Sequence, residues 1–114
     1  MKARYVQRGE SIDYTPTADV AAGDVIRLGK MIGVSKLDIK SGELGALALV
    51  GVYELAVKSG KAFSVGQTAY YNPTDGTISP DTPVEGSGEF AIGYAIAAVA
   101  SGDATGLIRL TQGL

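Results

Sequence analysis

The sequence predicts an all-β fold, a small antiparallel barrel or β-sandwich-like domain preceded by an irregular N-terminal arm. Three features point there. Sixteen of the 114 residues are glycine, with no repeat period to account for them. Glycine is costly inside helices and strands and useful in turns, while the accompanying Val, Ile and Tyr suit a pleated, half-buried surface. Turn signals arrive roughly every 8–12 residues, the spacing of a sandwich or barrel; they include Ala22-Gly23-Asp24, Ser41-Gly42, Ser59-Gly60 and Ser101-Gly102-Asp103. Side-chain size alternates with period two along Phe90–Val99, which is the rhythm of a strand.

A chain of this length is one domain by the usual size prior and buries enough surface for a core without disulfides. Residues 1–12 read as the arm and residues 13–114 as the β domain. The arm carries Lys2, Arg4 and Arg8 against only Glu10. It is either a solvated basic terminus or a docking arm, with Lys2, Arg4, Tyr5 and Arg8 as the candidate contact residues.

Further along, Asp24–Leu28 and Met31–Val34 form a hairpin across Gly29-Lys30. In Leu44–Val57 one parity reads Leu44, Ala46, Ala48, Val50 and Val52, and the other reads Leu47, Leu49, Tyr53, Leu55 and Val57. Both faces are apolar, whereas an antiparallel sheet in a small monomer usually keeps one polar face. Such a strand needs cover on both sides, from a closed barrel or from a neighbouring subunit. The shortness of the chain favours the subunit, with Leu47, Leu49, Val50 and Val52 as the candidate seam.

Tyr70-Tyr71-Asn72-Pro73-Thr74-Asp75-Gly76-Thr77-Ile78 is a second hairpin, with Pro and Gly suited to its tight loop. Ser79–Glu89 holds two prolines and three acids without periodicity, so it reads as a long surface loop. In Phe90–Val99 the large Phe90, Ile92, Tyr94 and Ile96 are expected to fill a core. Ala91, Gly93, Ala95 and Ala97 leave the other face smooth enough for a second backbone to approach.

Chemistry is scarce. The chain has no cysteine and no histidine, which removes thiolate and disulfide chemistry, the commonest general base and the commonest transition-metal ligand. Ser35-Lys36, Lys40-Ser41 and Lys58-Ser59 are sequence neighbours, and neighbours on a strand point to opposite faces. Ser59-Gly60-Lys61-Ala62 superficially resembles a phosphate-binding loop, but Leu55 and Ala62 stand where that loop needs Gly and Ser or Thr. The acids Asp75, Asp81, Glu85 and Glu89 do not follow the EF-hand spacing. No catalytic, cofactor or metal site is expected.

Net charge is −2, which argues against direct nucleic-acid binding by the whole domain. The charge is unevenly placed, with nine basic against seven acidic residues up to Lys61 and one against five beyond it. The tyrosines at 70, 71 and 94 lie in the acidic half, away from any basic groove that would stack bases. The longest uncharged runs fall short of the ~18 residues that span a bilayer, and no apolar signal segment follows the basic start. Synthesis in the cytoplasm and no membrane partner are the expectation.

The succession Ala22-Gly23-Asp24-Val25, Gly33-Val34, Asp38-Ile39, Gly51-Val52-Tyr53-Glu54-Leu55, Gly66-Gln67-Thr68-Ala69-Tyr70-Tyr71, Gly76-Thr77-Ile78, Ile92-Gly93-Tyr94-Ala95 and Leu107-Ile108-Arg109-Leu110 resembles the phage capsid cement family. The resemblance runs from about Gly9 to Leu110 and lies in the order and spacing of the motifs. The family's usual aromatic-acid pair after the second hairpin tyrosine is replaced here by Asn72-Pro73, a departure confined to a turn. The resemblance implies a decoration protein of tailed-phage heads. Such a protein binds the major capsid protein on the outside of the expanded shell, commonly as a homotrimer, and has no catalytic residues. The rival from another class is a carbohydrate- or ligand-binding β module, which would show an exposed aromatic cleft. A hydrolase working through carboxylates alone would instead show two close carboxyl groups in one pocket.

Overall fold

The computed structural model describes residues 2–112. It is all-β, with nine strands and no helix among those residues. Strands β1 (Ser11–Tyr14), β2 (Val25–Leu28), β3 (Met31–Val34) and β4 (Gly45–Ala48) form one antiparallel sheet in the order β1-β4-β3-β2. Strands β5 (Val50–Ala56), β6 (Thr68–Asn72), β7 (Thr77–Ser79), β8 (Phe90–Ala95) and β9 (Thr105–Thr111) form a second, in the order β5-β9-β8-β6-β7. Strand β1 pairs with β4 from its first residue, Ser11 opposite Ala48 and Ile12 opposite Leu47.

Both expected hairpins form. In β2–β3 Leu28 faces Met31 across Gly29-Lys30. Only Gly29 has positive φ, at 64°, the pattern of a type II′ turn with glycine first. In β6–β7 the loop closes with Gly76 N–H donating to the Asn72 carbonyl at 2.8 Å. Asn72 Oδ1 accepts from Thr74 N–H at 2.9 Å, and Asp75 Oδ1 accepts from the Thr77 hydroxyl at 2.7 Å. The acidic stretch after Ser79 contains no strand before Phe90.

The barrel alternative does not hold. The five-stranded sheet bends until its edge strands approach, but only one parallel bridge, Val57 to Ile78, joins them, with Lys58 N–H on the Ile78 carbonyl at 2.9 Å. The core lies between the two sheets. One buried cluster joins Ile32 and Val34 of the first sheet to Leu55, Ile92, Ile108 and Leu110 of the second, and includes Phe63 and Val99, which bridge each other.

Two sequence expectations change. Leu44–Val57 is not one strand. The chain leaves the first sheet at Ala48 and enters the second at Val50, with Leu49 between them. The same parity faces inward on both sides of that change, so Leu47, Leu55 and Val57 are buried, while Leu44, Val50 and Val52 of the other parity are exposed. Of the second apolar parity the chain covers only Ala48, and Leu44, Ala46, Val50 and Val52 stand on the outer surface.

The alternation in β8 also breaks. Ala69 pairs with Gly93 and Tyr70 with Ala91, leaving Ile92 as the extra residue of a β-bulge. A bulge shifts the side-chain parity beyond it. Phe90 and Ile92 point inward as expected, but Ala95 then replaces Tyr94 and Ile96 in the core, and those two become 42% and 43% exposed.

Candidate interaction surfaces

Among the described residues the arm is held only at its base. Leu49 N–H donates to the Glu10 carbonyl at 2.8 Å, Gln7 Nε2 reaches the Ser11 carbonyl at 3.4 Å, and Arg8 pairs with Glu10 at 2.8 Å on the open surface. Residues 2–8 are all exposed and lack regular structure. Lys2, Arg4, Tyr5 and Arg8 therefore stand in solvent, and Tyr5 and Val6 are 78% and 76% exposed. Adjacent apolar side chains left this open on a basic segment have no cover from their own domain.

The expected seam residues separate. Leu47 is at 0% exposure, enclosed by its own chain. Leu49 is partly buried at the change of sheet. Val50 and Val52, at 42% and 51%, are open. Val52 belongs to a larger patch that sequence reasoning missed. On the outer face of the second sheet Val52 lies opposite Arg109, and Arg109 lies opposite Tyr94. In the next row Glu54 lies opposite Leu107, whose carbonyl accepts from Ile96 N–H at 3.1 Å. The signal was present in β9, where exposed Leu107 and Arg109 alternate with buried Ile108 and Leu110; the apolar pair Leu107-Ile108 masks it.

Two of the acidic groups are committed locally. Asp81 pairs with Lys61 at 2.5 Å, and the hydrogen bond from Lys61 holds its carboxyl below the usual range. Hydrogen bonds from Thr77 do the same for Asp75. Among the described residues no group of three or more Asp and Glu converges as a metal site would require. Two surface clefts, one beside β4 lined by Lys36, Asp38, Ile39 and Glu43 and one between Arg8, Val50, Arg109 and Gln112, contain no aromatic ring. Tyr71 is buried against Phe90, ring centroids 5.7 Å apart, and Tyr53 and Tyr70 are half-buried. A third cleft, beside Thr68 and Thr111, carries the half-exposed ring of Tyr94, so none of the three offers two rings between which a sugar would stack. Among the described residues no helix is long and apolar enough to cross a membrane.

A two-sheet β protein with a basic arm standing off its body and an apolar outer sheet face has the surfaces of a structural, contact-making protein. The chain belongs to the phage cement protein family, whose model matches residues 6–110. Membership points to a structural role in a phage capsid, in a family that is not typically enzymatic. No curated protein and no solved structure matches the chain.

Proposed function

We propose that the protein decorates the outer surface of a phage head, binding the major capsid protein of the expanded shell and stiffening it as a homotrimer. The observation that carries this reading, beside family membership, is the arm. Lys2, Arg4, Tyr5 and Arg8 are exposed together on a segment with no fold of its own. Such a segment gains order on a partner surface, and its charges steer it toward an acidic one. Val50 and Val52, with Leu49 at their margin, supply the contact between subunits; Leu47 takes no part because its own chain already covers it.

A cement protein does no chemistry. It stabilises the expanded shell by binding that state better than the unexpanded one, and many copies sharing neighbours act together. The test is co-sedimentation with purified heads. Binding to expanded heads, lost when residues 2–8 are deleted, supports the reading. Equal binding with and without the arm removes the arm from it, and no binding to heads at all removes the function.

A further inference from the structure

The outer face of the second sheet has a composition that the decoration role alone does not require. Val52, Tyr94, Ile96 and Leu107 lie there 40–51% exposed, in two adjoining rows across β5, β9 and β8. Set among them are one cation, Arg109, and one anion, Glu54. The register Val52 to Arg109 and Glu54 to Leu107 makes these two charges diagonal neighbours. Each faces solvent, and among the described residues neither forms an ion pair.

We propose that this face is the contact between copies of the chain, with Arg109 of one copy set against Glu54 of the next in a closed ring. Charge complementarity selects this occupant. A shell surface matched to the basic arm would be acidic; it would suit Arg109 but oppose Glu54, and so would satisfy only one of the two charges. A second copy brings the opposite charge to each of the two groups and an equal apolar set around them. Arg flanked by an aromatic and aliphatic side chains is typical of the covered centre of an interface. A head-to-tail pairing of unlike groups closes into a ring when its rotation allows. The inference rests on the decoration reading for the ring of three; the pairing of copies needs no shell.

The experiment is mass measurement by light scattering on the full chain without heads. Three times the 11.7 kDa of one chain is expected. Leu107→Glu should give monomers with an unchanged circular dichroism spectrum, because the side chain is already 40% exposed. Should that variant fold poorly, Val52→Lys on the edge strand reads the same face. Arg109→Glu and Glu54→Arg should each weaken association at least tenfold, and mixing the two variants should recover heavier species. A monomeric wild type, a folded Leu107→Glu or Val52→Lys chain of wild-type mass, or a mixture no heavier than its components overturns the inference. Head binding is read separately: an intact trimer that ignores heads sinks the decoration reading and leaves this contact standing.

Discussion

The side-chain amide of Gln112 occupies the place of a strand beside Ile32. Its Nε2 donates to the Ile32 carbonyl at 2.8 Å, and its Oε1 accepts from Ile32 N–H. The same Nε2 reaches the Leu49 carbonyl at 2.9 Å. Strand β3 pairs with β4 only at Val34 and Ala48, so this amide completes an edge the sheet leaves open. It also ties the end of β9 to the point where the chain changes sheets. Two residues 80 positions apart thus join the two halves of the fold.

Replacing Gln112 by Ala should therefore destabilise the fold by about 1–3 kcal/mol, the cost of stranding partly buried backbone groups without partners. Urea unfolding of the variant measures it. A midpoint equal to wild type would show that water serves these groups as well as the amide does.

Gly93 follows the bulge residue Ile92, and a Cβ there would lie 1.9 Å from the Arg109 carbonyl oxygen. The obstruction is backbone in the middle of the sheet, so relief requires β8 and β9 to part. Gly93→Ala should cost at least the upper end of the ~1–3 kcal/mol typical of overpacking. Thermal unfolding of the variant measures it: Ala is no worse a strand former than Gly, so a lowered midpoint reports the clash and an unchanged one would contradict it.

Burial against the core raises the pKa of Tyr71 above its ordinary value of 10.0, with the charge of Asp75 adding to the shift. The folded state thus prefers the neutral phenol. The associated stability is fully present below pH ~10 and is lost as pH rises through the higher folded value. Wild-type stability should fall in that alkaline window, and Tyr71→Phe should fall less steeply. Parallel curves for the two proteins would contradict the assignment.

Deleting residues 2–8 should leave the unfolding midpoint within a degree or so of wild type, since exposed segments of this kind contribute little to global stability. The side chains removed are exposed, and the Leu49-to-Glu10 hydrogen bond at the base remains. A large drop in the midpoint would mean that the arm packs on the body.

The fold was legible where local chemistry decides it. Gly29-Lys30 and Pro73–Gly76 mark their hairpins because turn geometry depends on a few adjacent residues. Parity was legible only as far as strands stay regular. The bulge at Ile92 and the change of sheet at Leu49 arise from pairing with distant strands, which neighbouring residues do not encode. The bulge accounts for the two core candidates that moved out. Leu47 turned inward, while Tyr94 and Ile96 turned outward beside Leu107 and Arg109. The basic character of residues 2–8 was legible from charge alone, and those residues are exposed.

The most direct test of the decoration role is the heat stability of expanded, DNA-filled heads that lack the protein, followed by DNA release as purified chain is added back. Stiffening from outside predicts that saturating wild-type protein raises the release temperature and that protein lacking residues 2–8 does not. Heads that release DNA at the same temperature with and without bound wild-type protein would contradict it.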